Sequence, residues 1–170
     1  MIDGEIERRL RQVRLLALDV DGVLTDGGIY MFEDGTEFRR FEIKDGLGLM
    51  RVKKAGIEVV IISTTAVRAI LHRAEQLGIT EVYLEAWDKL PVLLGICERL
   101  GIPLEQVAYM GDDLMDLPLL EQVGLPCAPA DAMDSVKSRA RLVTRSAGGH
   151  GAVRELCELL LAYVQPDSTS

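Results

Sequence analysis

Aromatic side chains and cysteines are scarce in this sequence, and no long apolar run is present. Aromatics make up only 5% of its 170 residues, so its core must be built from Leu, Ile, Val and Ala. The three cysteines, Cys97, Cys127 and Cys157, stand far apart with no CxxC and no neighbouring His pair. That pattern argues against zinc and reads as small core residues in a reduced compartment. No apolar stretch approaches the length of a membrane span, and the charged segment 1–12 lacks the apolar centre of a secretory signal. Acidic residues outnumber basic ones, 27 to 19, for a formal net charge of −8. That balance argues against a nucleic-acid groove or an anionic membrane surface. A small phosphorylated substrate remains compatible, since a metal ion and a few local cations can hold one phosphate. The expectation is a cytoplasmic protein.

Hydrophobic residues are plentiful, at 48%, enough for a buried core. The length fits one domain with a small insertion. The expected domain spans 1–164, with a hairpin inserted at about 28–43 and a flexible polar tail at 165–170. Short apolar runs alternate with amphipathic stretches along the chain. The runs are Leu15–Leu18, Val59–Ile62, Val82–Leu84, Val107–Met110 and a weak Leu142–Val143. The helical stretches are Gly48–Ala55, Val67–Leu77, Lys89–Leu100 and Leu114–Val123, several followed by glycine, the usual stop residue. This βαβα rhythm predicts an α/β fold with a doubly wound, Rossmann-like parallel sheet. One segment departs from it. Gly28–Ile43 alternates around Asp34-Gly35, a strong hairpin signal, and holds all three phenylalanines. A lone hairpin is marginal, so this one is expected to pack on another subunit, the alternative being its own domain.

Ligands of open α/β sheets bind beyond the carboxyl ends of the strands, and three strand ends here carry polar groups. The first run leads into Asp19-Val20-Asp21-Gly22, the second into Ser63-Thr64-Thr65, the fourth into Gly111-Asp112-Asp113 with Asp116 one turn on. Lys89 starts the helix after the third. Clustered carboxylates repel and require a cation, and hard oxygen ligands beside a phosphate suggest Mg²⁺. Asp19 is placed to attack phosphorus and form an aspartyl-phosphate. Asp21 is placed to protonate the leaving alcohol and then deprotonate water. Ser63 and Lys89 would hold phosphate, and Asp112 the metal. Either motif alone is more often a turn or a helix cap; their placement at successive strand ends is far more specific. Asp113 and Asp116 read as supporting groups or caps. His72 is expected on a helix surface and His150 in a glycine loop.

These motifs resemble those of the haloacid dehalogenase-like phosphatases. The runs Asp19–Gly28, Lys44-Asp45-Gly46, His72-Arg73-Ala74, Tyr109–Asp116 and Gly148–Glu155 are similar, more narrowly, to the 3-deoxy-D-manno-octulosonate 8-phosphate phosphatase family, over roughly 13–164. The resemblance implies an enzyme, a phosphoric monoester hydrolase without a large cap domain, acting on a small phosphorylated sugar acid. It implies Asp19, Asp21 (through its carbonyl) and Asp112 as metal ligands. It also implies a substrate pocket of Asp21, Glu42, Ile43, Lys44, Asp45, Gly46, Arg73 and Lys89, and a homotetramer built through the hairpin. The chain departs from the family where basic residues are usual, at Met50 and Thr65, and has His150 within Gly149-His150-Gly151. These changes touch substrate-binding positions and leave the catalytic set intact. Hydrolysis of another sugar phosphate, such as a nine-carbon sugar acid 9-phosphate, is the nearest alternative reading. A catalytically idle oligomeric binding protein is another; the intact set of Asp19, Asp21, Ser63, Lys89 and Asp112 counts against it. A receiver-type signalling domain would carry no Asp two residues after its phosphoacceptor.

Overall fold

The structure is a computed structural model and describes residues 3–163; the expected tail at 165–170 lies outside the described residues. Six parallel strands form one sheet in the order β5-β4-β1-β6-β7-β8. They are β1 (Leu15–Leu18), β4 (Glu58–Ile62), β5 (Glu81–Tyr83), β6 (Val107–Met110), β7 (Leu125–Ala128) and β8 (Leu142–Val143). Alternate side chains of β1 point to opposite layers, as the strand period requires. Leu16 and Leu18 join a cluster with Leu49, Val52, Ile70, Leu156 and Leu160. Leu15 and Ala17 join the other, with Leu93, Ile96, Leu119 and Val136. Helices α1 (Gly4–Gln12), α2 (Ile43–Lys54), α3 (Arg68–Gln76) and α7 (Ala152–Tyr163) therefore cover one face. Helices α4 (Lys89–Leu100), α5 (Leu117–Leu120) and α6 (Asp134–Lys137) cover the other. Both faces are buried, which is why the strands read as unbroken apolar runs. Cys97, Cys127 and Cys157 are buried free thiols.

Chain order positions the site. From β1 the chain steps outward to β4 and β5, then returns to lay β6 on the opposite side of β1. Leu15–Leu18 pairs in register with Glu58–Ile61 on one side and with Val107–Met110 on the other. The reversal of strand order falls between β1 and β6, and a crevice opens at such a point beyond the strand ends. Asp19 and Gly111 are the residues that leave those two strands.

The arms of the inserted hairpin pair in one short ladder and at an isolated antiparallel bridge between Thr25 and Phe41. Its ladder is β2 (Tyr30–Met31) against β3 (Glu37–Phe38), closed by Phe32 N–H to Thr36 carbonyl at 2.8 Å. The Asp34 carboxylate accepts from Thr36 N–H at 2.8 Å, and Gly35 takes the left-handed conformation that the turn demands, φ +83°. Ile43, read as the end of the hairpin, instead opens α2, where the Glu42 carboxylate caps the Lys44 N–H. Phe41 turns inward against the core of the domain. Tyr30 stacks on Phe38 and Phe32 packs against it at a tilt, with ring centroids 4.9 and 5.6 Å apart. Ile29, Met31 and Phe32 are all at least 60% exposed, so the hairpin does not fold its apolar face onto its own domain.

Candidate active site

The loop after β1 turns sharply because Thr25, fully buried, accepts from Gly22 N–H (3.3 Å) and Gly27 N–H (3.2 Å) and donates to the Val20 carbonyl (3.4 Å). Gly22 adopts φ +87°, and a Cβ there would collide with the Asp112 carboxylate. Gly148 abuts the Gly22 carbonyl with no room for a Cβ. Two glycines thus let the loops after β1, β6 and β8 close on one another.

Asp19 is buried at the tip of β1, and its Oδ1 lies 2.8 Å from Lys89 Nζ. Lys89 sits at the start of α4 with its side chain only 1% exposed and also meets Asp116 Oδ1 at 2.7 Å. Burial would lower the lysine's proton affinity, but Asp19 and Asp116 more than offset that and hold the ammonium charged. Asp116 has no capacity left. Its Oδ1 also accepts from Tyr109 Oη at 2.6 Å, and its Oδ2 accepts from the backbone N–H groups of Asp112 (2.9 Å) and Asp113 (3.2 Å). Asp113, exposed, caps the 3-10 turn Leu114–Asp116 through the Leu114 N–H at 2.7 Å. The two carboxylates whose role the sequence left open are therefore an internal brace and a cap.

Asp19, Asp112 and Asp116 bring carboxylate oxygens within 4.8 Å of one another. Burial first, then the neighbouring Asp116, pushes the Asp19 carboxyl up to about 6, against the pull of Lys89. Burial, then Asp19 and Asp116, pushes Asp112 up to about 8. Asp112 Oδ1 is buried without a hydrogen-bond partner. An orphaned carboxylate oxygen among repelling acids fits a hard divalent cation. With Asp116 saturated, Asp19 and Asp112 are the side chains free to hold one.

Ser63 follows β4, buried, with its Oγ 3.1 Å from Thr65 Oγ1. Asp21 is half-buried, its Oδ2 accepting from Thr65 Oγ1 at 3.1 Å and its Oδ1 from Arg39 Nε at 2.7 Å. Arg39 was not legible as a site residue; beside Arg40 on a hairpin return it reads as a solvated charge. Glu42, Asp45, Gly46 and Arg73 line one small cavity with Leu24 and Phe41. Arg73 donates to the Glu42 carbonyl at 3.3 Å. Asp45 is pushed up to about 6 by burial, although Arg154 N–H donates to it at 2.7 Å. Lys44 instead faces a separate open groove with Arg145, His150 and Arg154, and Ile43 is 79% exposed. His72 is exposed on α3 and His150 in the glycine loop.

A carboxylate at a central strand tip, a buried lysine against it and a cation-seeking acid across the switch point define a haloacid dehalogenase-like hydrolase. Comparison agrees, since the family described as haloacid dehalogenase-like hydrolase matches residues 73–156. The 3-deoxy-D-manno-octulosonate 8-phosphate phosphatase KdsC of Escherichia coli K12 is 45% identical over 94% of this chain and 85% of its own length. The crystal structure of the Yersinia pestis 3-deoxy-D-manno-octulosonate 8-phosphate phosphatase superposes with a TM-score of 0.92 at 42% identity, covering 94% of this chain and 86% of that one. The enzyme of that name from Moraxella catarrhalis, in complex with magnesium ion, phosphate ion and a KDO molecule, gives 0.92 at 38% identity, covering 95% and 92%. The chain belongs to the 3-deoxy-D-manno-octulosonate 8-phosphate phosphatase family.

Proposed function

We propose that this chain is a magnesium-dependent phosphatase that hydrolyses 3-deoxy-D-manno-octulosonate 8-phosphate through an aspartyl-phosphate on Asp19. The observation that carries the reading is the buried set of Asp19, Lys89 and Asp112 at the β1–β6 switch point, in a chain matched over nearly its whole length by phosphatases of that name. The carboxylates of Asp19 and Asp112 and the carbonyl of Asp21 would hold Mg²⁺, which would supply charge neutralisation for the transferring phosphoryl group. Lys89 and Ser63 bind the phosphate oxygens, and Lys89 also keeps Asp19 in its nucleophilic carboxylate form. Asp19 Oδ attacks phosphorus as the bond to the sugar oxygen breaks, and Asp21 gives its proton to that leaving oxygen. Water then attacks the phosphorus of the aspartyl-phosphate, Asp21 takes the water's proton, and the Asp19 carboxylate and inorganic phosphate are released.

In this reading Asp21, Glu42, Asp45, Gly46, Arg73 and Lys89 surround the sugar acid, and Ile43 and Lys44, exposed at the start of α2, border it. The catalytic unit is one domain, 1–164, with the hairpin inserted at about 28–43. The protein acts in the cytoplasm as a homotetramer whose subunits meet through the hairpin, which accounts for the exposed Ile29, Met31 and Phe32. Among the described residues no helix is long and apolar enough to cross a membrane.

A panel of sugar phosphates assayed for phosphate release tests the substrate. The octulosonate 8-phosphate is expected to give the highest kcat/KM, with activity lost on chelation and restored by Mg²⁺. An equal or higher value for a sugar phosphate lacking the carboxylate would overturn the assignment.

A further inference from the structure

Arg39 is the most deeply buried arginine of the hairpin region, its side chain 2% exposed. A guanidinium is buried only where its charge is met. Its Nε donates to Asp21 Oδ1 at 2.7 Å, while Nη1 reaches Glu37 Oε2 at 3.3 Å and the Phe38 carbonyl at 3.4 Å. From the other side Thr65 Oγ1 donates to Asp21 Oδ2 at 3.1 Å. Thr65 is itself fixed, since its N–H donates to Ser63 Oγ at 3.2 Å. Both oxygens of the Asp21 carboxylate are thus gripped, one by the inserted hairpin and one by the loop after β4, while 29% of the Asp21 side chain stays exposed.

We propose that Arg39, opposed by Thr65, is a positioning residue that fixes the Asp21 carboxylate toward the leaving oxygen of the substrate. The proposal rests on the reading of Asp21 as acid and base. An acid must lie within hydrogen-bond reach of the atom it protonates, and a displacement of about 1 Å at a reacting group costs on the order of a hundredfold in rate. Asp21 sits in the loop after β1, directly before Gly22, and without the two grips is free to rotate about its side-chain bonds. The chemistry also separates this role from simple anchoring of the hairpin. A poor leaving group, an alkoxide or phenolate, needs the proton as its bond to phosphorus breaks; p-nitrophenolate departs without it. A misplaced acid therefore slows only the former, whereas a loosened hairpin slows all substrates alike.

The test measures kcat/KM, which reports phosphoryl transfer to Asp19 and not the later hydrolysis. Substrates are the octulosonate 8-phosphate, phenyl phosphate and p-nitrophenyl phosphate, each with the full chain and Mg²⁺. Arg39→Gln is expected to lower kcat/KM about 10- to 100-fold on the first two and less than about threefold on p-nitrophenyl phosphate. Arg39→Lys, which keeps one charged donor, should recover most of the loss. Thr65→Val should show the same dependence on the leaving group, and these two variants carry the test if Arg39→Gln does not fold. An equal fall on all three substrates, for Arg39→Lys and Thr65→Val as well, would overturn the proposal. Asp21→Asn is the reference. If it too lowers all substrates equally, the acid role of Asp21 fails and the positioning role falls with it. If it shows the leaving-group dependence and the Arg39 and Thr65 variants do not, the positioning role fails alone.

Discussion

Asp112 holds the least satisfied charge in the site, one oxygen buried without a partner and the carboxyl pushed up to about 8. Asp19 beside it is pushed up to about 6. Below these values the metal-free protein carries protons that a cation must displace. Magnesium affinity should therefore fall as pH drops through about 8 towards 6, with protons released on binding. Calorimetric titration in buffers of different ionisation enthalpy, at about pH 7 and about pH 9, should find proton release at the lower pH and little at the higher. No release at the lower value would contradict a metal bound by these two acids, and Asp112→Ala should weaken binding at both. Asp19→Asn is nearly isosteric and removes the nucleophilic charge. It should cost turnover at least about 10³-fold with the fold retained; activity within about tenfold of wild type would contradict its role. The placement of Asp19, Ser63 and Asp112 at strand ends was readable because each stands at the end of an apolar run, and that of Lys89 because it opens a helical pattern. Arg39 was not, because nothing in a hairpin's charged return tells that one of two adjacent arginines turns inward.

The loop after β6 is held from within by Asp116, which joins Lys89, Tyr109 and two backbone N–H groups. Removing it leaves donors in the interior unpaired and Lys89 with Asp19 as its remaining acid. Asp116→Ala should lower unfolding free energy by about 3–5 kcal/mol, against about 1 kcal/mol for Tyr109→Phe. Urea denaturation in the presence of chelator measures both; a cost for Asp116→Ala no larger than for Tyr109→Phe would show that the brace does not stabilise the loop. At this scale the sequence was legible where one rule governs. Strands β1, β6 and β8 and helix α4 fall on the bounds their patterns predict. Helix α2 begins at Ile43, earlier than the pattern from Gly48 predicts, because Gly46 and Gly48 read as helix breakers although they are small to admit Arg73 and Cys157 against the helix. The stretch 114–123 divides into a 3-10 turn and the short α5, with Pro118 in its first turn. Strand β7 escaped notice because it contains Pro126, a residue that argues against an interior strand. Helices α1, α6 and α7 also went unread, although α7 carries Val153, Leu156, Cys157 and Leu160 into the core.

The hairpin gathers exposed apolar side chains in one place, Phe38 stacked on Tyr30 and tilted against Phe32 beside exposed Ile29 and Met31. Patches of this kind on a small protein mark contact surfaces. Light scattering at micromolar concentration should return a tetramer for the wild type and smaller species for Phe32→Asp, with the monomer's circular dichroism unchanged. A wild-type monomer would contradict assembly through the hairpin. The fold class and the reaction were legible at this scale because both follow from chain order and strand ends. Regular pairing in the hairpin ends at Phe38 and returns as a single antiparallel bridge between Thr25 and Phe41, and the apolar alternation runs on from there into α2 at Ile43.

The phosphorylated state of Asp19 is the most direct test of the account. In Asp21→Asn, p-nitrophenyl phosphate needs no acid to transfer its phosphoryl group, but the resulting aspartyl-phosphate lacks the base that drives its hydrolysis. With Mg²⁺ present, rapid mixing should give a burst of one p-nitrophenolate per site, and acid quenching should leave phosphate on the peptide containing Asp19. A burst-free reaction with no phosphorylated peptide, or phosphate found on another residue, would contradict nucleophilic catalysis by Asp19.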